Sequence, residues 1–101
     1  MGISELTSNN ELYREQFSLE YVADELAKVR GNKTVVLVAG AYDLLHGGHV
    51  RFLNRVKREG DILVVAVNSD DRVSSKKGPT RPVIPELDRA FMVSNLKAVD
   101  F

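Results

Sequence analysis

With 101 residues, this chain has room for one small hydrophobic core. Lysine plus arginine and aspartate plus glutamate both number 14, so the net charge is zero, which argues against a general nucleic-acid or membrane-surface role. There is no cysteine, hence no disulfide framework or thiolate metal site, and no apolar run near the roughly 20 residues needed to span a bilayer.

Met1 to Asn10 is polar and lacks the apolar core of a signal peptide, so a flexible segment over 1–16 and a cytoplasmic location are expected. Glu11 to Phe17 has room for an early helical turn. A helix is expected from Ser18, which N-caps it, to Gly31, which stops it. Leu19, Val22, Ala23, Leu26 and Val29 recur at helical spacing, with Glu20, Asp24, Glu25 and Lys28 on the other side.

Val35-Val36-Leu37-Val38-Ala39 reads as a strand covered on both faces. A helix follows from Val50 to Glu59, with Val50, Leu53 and Val56 on one stripe and Phe52 beside it. Arg51, Arg55, Lys57 and Arg58 read as exposed. Gly60 closes the helix, and Ile62 to Val67 is a second buried strand. Such a unit predicts two parallel strands joined by a right-handed crossover.

Asn68 to Pro85 is polar, basic and rich in turn residues, and reads as a long functional loop. Glu86 to Lys97 reads as a helix with Leu87, Ala90, Phe91, Val93 and Leu96 turned inward and Pro85 near its start. Ala98 to Phe101 has the character of the start of a third strand. The order predicts a doubly wound, Rossmann-like α/β domain with helices on both faces. Three strands are few for such a sheet, so another segment or subunit is expected to complete it.

Both histidines fall in the turn between the first strand and the second helix, in Gly40-Ala41-Tyr42-Asp43-Leu44-Leu45-His46-Gly47-Gly48-His49. Packing does not ask for two imidazoles and two glycines there. A phosphate ligand does: it would meet free N–H groups at the positive end of the helix. Gly47 and Gly48 would let the backbone approach it closely. His46 and His49 would donate to phosphate oxygens as charge builds in a transition state. Lys76, Lys77 and Arg81 would close over the same phosphates from the loop. Asn68 ends the second strand, where ligands of such sheets bind. Arg89 fits a helix-surface charge and a phosphate contact equally, while Asp70 and Asp71 read as a cap or surface pair. An alternative makes Asp43, His46 and His49 zinc or iron ligands of a hydrolase, though no further histidine or cysteine exists to fill such a site.

The histidine segment resembles the G-x-[FY]-D-x-x-H-x-G-H signature of the cytidylyltransferase-like nucleotidyltransferases. The likeness continues in register through Gly60 to Asp70, Lys77-Gly78-Pro79-Thr80-Arg81-Pro82-Val83-Ile84-Pro85, Asp88-Arg89-Ala90 and Ala98-Val99-Asp100. These segments are most similar to the ADP-heptose synthase branch, and Ser18 to Val35 is similar to its leading helix. The resemblance covers Phe17 to Phe101. It implies the N-terminal part of a nucleotidyltransferase domain over 17–101. It implies transfer of AMP or CMP from ATP or CTP, carried with Mg²⁺, to a phosphorylated sugar or polyol such as heptose 1-phosphate. Pyrophosphate is released. FAD synthetases and glycerol-3-phosphate cytidylyltransferases of the same superfamily are alternatives, as is a non-catalytic nucleotide-binding or assembly domain. The resemblance implies catalytic roles for His46, His49 and Lys77. It implies nucleotide contacts from Gly40, Ala41, Tyr42, Asp43, Gly48, Asn68 and Arg89, and substrate contacts from Asp43, Lys76, Lys77 and Arg81. A homodimer is implied, with no nucleic-acid or membrane partner. Ala39-Gly40-Ala41-Tyr42-Asp43 departs from that branch's Asn-Gly-Cys-Phe-Asp, and Ser74 stands where it often has a lysine. The family's later Ile-Ser-Ser-Thr-like motif falls beyond Phe101.

Overall fold

The structure, a computed structural model, describes residues 16–101. The expectations for Met1 to Asn10, and for all but the end of Glu11 to Phe17, lie outside the described residues. Helix α1 spans Leu19–Val29, capped by the Ser18 hydroxyl, which accepts from the Tyr21 N–H at 3.1 Å. Gly31, at φ 51°, takes the left-handed conformation that ends the helix.

The expected burial of the α1 stripe is not met. No residue of the helix is buried, and Leu19 is 79% exposed. Val22 and Leu26 are half-buried, and the rest of the apolar stripe is exposed.

Strands β1 (Val35–Gly40) and β2 (Ile62–Val67) pair in parallel, in register from Val35 opposite Ile62 to Gly40 opposite Val67. Between them lies α2, Gly47–Lys57, which starts three residues before the expected Val50. Leu63 of β2, Leu53 of α2, Val93 and Tyr42 form the core, with Val36, Val38, Val56 and Val65 packed on it. The face carrying Leu37 and Ala39 is not covered by the described residues: Leu37, in mid-strand, is 68% exposed. β1 is thus a strand half-buried on one face rather than covered on two.

The expected loop over Asn68 to Pro85 is corrected. Its first half is helix α3, Asp70–Lys77, capped by the Ser69 hydroxyl, which accepts from the Arg72 N–H at 3.2 Å. Asp70 and Asp71 sit at its positive end and Lys76 and Lys77 at its negative end, both favourable for the helix dipole. Val73 is its one buried residue. Helix α4 spans Glu86–Ser94, three residues shorter than expected.

The last residues run alongside β2 on the side away from β1. Asp100 and Phe101 N–H both donate to Leu63 C=O, at 3.0 and 3.2 Å, and Val65 N–H donates to Phe101 C=O at 2.8 Å. Lys57, expected to be exposed, is half-buried instead. Its ammonium donates to Asp61 C=O and to Asp100 Oδ2, and that same oxygen accepts the Leu63 N–H. An apolar groove of about 330 Å³ lies between Phe17, Leu19, Val22 and the β2 edge at Val65 and Val67. No helix among the described residues is long and apolar enough to cross a membrane.

Candidate active site

The C-terminal ends of β1 and β2 place Gly40 to His49 and Asn68 side by side, joined by the Asn68 N–H donating to Gly40 C=O at 2.8 Å. His46 is the N-cap of α2. Its Nδ1 accepts from the Gly48 N–H at 3.0 Å, while His49 Nδ1 accepts from the His46 N–H at 3.0 Å. The two rings lie 4.0 Å apart between centroids, and the Tyr42 ring meets His49 edge-on at 5.7 Å.

These bonds fix the chemistry of both rings. An imidazole nitrogen that accepts an N–H bond carries no proton, so each neutral ring holds its proton on Nε2. The Gly48 and His46 N–H groups are therefore not free for phosphate, as the sequence suggested. They are capped by imidazole, and each ring re-presents a donor further out at Nε2. His49 is held below the ordinary histidine range, first by burial and then by the positive charges of His46 and Lys77. Its neutral, donating form is the one this environment favours.

Gly48 also has a reason besides the one expected. A Cβ there would come within 2.8 Å of His46 Cε1, so the glycine makes room for the ring that caps it. A Cβ on Gly47 would meet Arg51 Nη1 at 3.0 Å, which places that guanidinium over the turn. Sequence reading took Arg51 only as a surface charge. The signal was its position, one helical turn after Gly47.

Asp43 is buried, with no exposed side-chain area, and each of its oxygens accepts hydrogen bonds. Val83 N–H and Arg81 Nε donate to Oδ2 at 2.9 and 2.8 Å, and Ile84 N–H donates to Oδ1 at 2.9 Å. Burial alone would raise its pKa. The Val83 and Ile84 N–H groups and then Arg81 outweigh that and lower it to about 2. The carboxylate is thereby committed to protein donors. Among the described residues, no group of three or more histidine, cysteine, aspartate or glutamate side chains is placed to hold a metal ion. The alternative zinc or iron site on Asp43, His46 and His49 is therefore not formed among the described residues.

Arg81 spends Nε on Asp43, which leaves its terminal nitrogens turned away from that bond on a side chain 34% exposed. Lys77 ends α3 close enough for its charge to act on His49. Lys76 is exposed beside it. Ser74, at the position where the resembled branch often has lysine, donates its hydroxyl to Arg81 C=O at 2.6 Å and ties α3 to the following segment.

Arg89 is not a surface charge, since it is fully buried. Nε donates to Ile84 C=O, Nη1 to Ala41 and Asn68 C=O, and Nη2 to Asp70 Oδ1, at 2.6 to 2.8 Å. Four of its five N–H groups serve protein acceptors. Asp70 is accordingly more than a cap: it closes an ion pair with a buried cation. Asn68 lies at the expected edge, with its carbonyl taken by Arg89.

A family model described as cytidylyltransferase-like matches residues 37–100. The chain is 42% identical to the bifunctional protein HldE of a Nitratiruptor species over 91 residues, which is 90% of this chain and 19% of that protein. It is 44% identical to HldE of Campylobacter curvus over 94 residues, 93% of this chain and 20% of that one. The chain thus spans about a fifth of the length of these relatives. Among solved structures, the lipopolysaccharide core biosynthesis protein from Thermoplasma volcanium superimposes with a TM-score of 0.64 and 35% identity. That match covers 68% of this chain and 55% of the other. The histidine turn, its parallel strands and the matched span agree: this chain belongs to the cytidylyltransferase-like family.

Proposed function

We propose that residues 17–101 carry the histidine half of a nucleotidyl-transfer site. A phosphate oxygen of a phosphorylated sugar or polyol attacks the α-phosphorus of ATP or CTP in line. The bond to the bridging oxygen breaks, and pyrophosphate leaves with that electron pair. The observation that carries the proposal is the pair of Nε2–H donors, each fixed by a backbone N–H on its Nδ1. Donors aimed at developing negative charge and held rigid beforehand are worth roughly 3–4 kcal/mol each.

The remaining roles follow from position. Lys77, whose charge reaches His49, and Arg81, with its terminal nitrogens free of Asp43, supply positive charge to the phosphates. Lys76 adds a further cation from the same helix end. Gly40, Ala41, Tyr42 and Asn68 shape the floor at the strand ends. Mg²⁺ would arrive bound to the nucleotide and neutralise part of its phosphate charge. By the resemblance to the ADP-heptose synthase branch, heptose 1-phosphate is the first acceptor to try, and a homodimer is the expected assembly.

The test is pyrophosphate release by the full chain with ATP or CTP against heptose 1-phosphate, glycerol 3-phosphate and FMN, beside calorimetry with each nucleotide. One pairing should release pyrophosphate, and His46→Ala or His49→Ala should each lower the rate about 10²–10³-fold. Release untouched by both substitutions, or absence of both release and nucleotide binding, would contradict the proposal.

A further inference from the structure

The main chain of one residue near the site is gripped from both sides. The Ile84 N–H donates to Asp43 Oδ1 at 2.9 Å, and its C=O accepts from Arg89 Nε at 2.7 Å. Asp43 and Arg89 are both closed to solvent. Arg89 then reaches Ala41 C=O at 2.6 Å, two residues before Asp43. The histidine turn and the segment before α4 are therefore stitched together across 38 to 48 residues of chain.

The turn itself shows why stitching is needed. Tyr42 and Leu44, on either side of Asp43, have φ of 51° and 55°. Non-glycine residues in this left-handed region cost of order 1–3 kcal/mol each and persist only where the surroundings over-determine them. Asp43 and Arg89 supply that determination. Two further ties of the 78–85 segment are more local: Arg81 N–H to Gly78 C=O, and Ser74 to Arg81 C=O.

We propose that Asp43 and Arg89 are positioning residues that act through the main chain of Ile84, locking the α3–α4 connection onto the histidine turn so that Lys77, Arg81 and both imidazoles keep one arrangement. Neither residue contacts ligand. Asp43 and Arg89 thereby take a role other than the substrate and nucleotide contacts expected from sequence. The assignment rests on protein contacts alone and stands or falls separately from nucleotidyl transfer.

Amide hydrogen exchange on the full chain without nucleotide provides the first test. If the clamp holds, the Val83 and Ile84 amides open together with those of His46 and Gly48, with protection agreeing within about tenfold. Val83 and Ile84 exchanging more than about 100-fold faster than Gly48 would overturn the proposal, and this needs no variant.

The second test follows His49 by NMR titration. The groups around that ring are His46, Tyr42 and Lys77. Asp43→Asn or Arg89→Lys, by releasing the connection, should raise the His49 midpoint, as Lys77→Met does by removing the charge. The double variant Asp43→Asn with Lys77→Met should rise no further than Lys77→Met alone. Asp70→Asn, which removes the outer ion pair of Arg89 but not its grip on Ile84, should leave the midpoint in place. If Asp43→Asn lowers thermal stability while His49 titrates as in the parent, the residue is merely structural and the proposal fails. If the variants do not fold, the exchange measurement on the parent chain decides.

Discussion

An imidazole that accepts at Nδ1 has one proton to give, at Nε2, and this chain imposes that state on two rings at once. Capping and chemistry are therefore separable by substitution. His46→Asn keeps a preferred N-cap acceptor but removes the outer donor. It should hold thermal stability within about 0.5 kcal/mol of the parent while pyrophosphate release falls about 10²-fold or more. Equal loss of both would mean that His46 only caps α2. Gly48→Ala tests the same ring from below. Alanine favours helices by about 1 kcal/mol over glycine, yet here its Cβ would lie 2.8 Å from His46 Cε1. The expected outcome is lost activity with stability not improved, read by melting and turnover. The residue identities and their spacing were legible in the sequence. The reason for Gly48 was not, because it depends on a ring folding back two residues.

At the scale of elements, α1 and α3 show opposite failures of pattern reading. The α1 stripe has strong helical spacing but none of its residues is buried, so its Ser18 cap matters more than its apolar residues. Ser18→Ala should cost about 1 kcal/mol of helix stability, seen as lost amide protection confined to residues 19–29. Protection unchanged there would show that tertiary contacts hold α1 after all. Helix α3 carries one buried residue, Val73, so an amphipathic period never develops and Asn68 to Pro85 looked like loop. Its signals were of another kind: Ser69 before two aspartates, and two lysines before Gly78, which is cap and dipole chemistry without a core stripe. The strand–helix–strand unit was legible because β-branched runs and a Leu53–Val56 stripe do end in one core.

For the molecule as a whole, the fully buried core is small. Leu53 and Leu63 are its completely enclosed leucines. Leu63→Ala should cost about 2–5 kcal/mol, a large part of the roughly 5–15 kcal/mol typical of a domain, and should appear as a lowered denaturation midpoint. Acid should destabilise in two windows. His49 lies below its ordinary 6.5, so the unfolded chain takes up a proton first and stability begins to fall as pH drops below that value. Asp43 lies at about 2 against an ordinary 3.8, so its contribution is present above 3.8 and lost between 3.8 and about 2. Denaturant midpoints across pH check both signs, and an Asp43→Asn curve that keeps the lower window would contradict the second. The Asp43–Ile84–Arg89 clamp was the least legible part of the site. Most of its partners are main-chain groups, which residue identity does not advertise. The most direct test of the central claim is the long-range ¹H–¹⁵N NMR spectrum of the two imidazoles during titration with ATP and CTP. The account predicts both rings protonated at Nε2, and Nε2 signals that move more than Nδ1 as one triphosphate binds. Rings protonated at Nδ1, or Nε2 signals unmoved by either nucleotide, would contradict it.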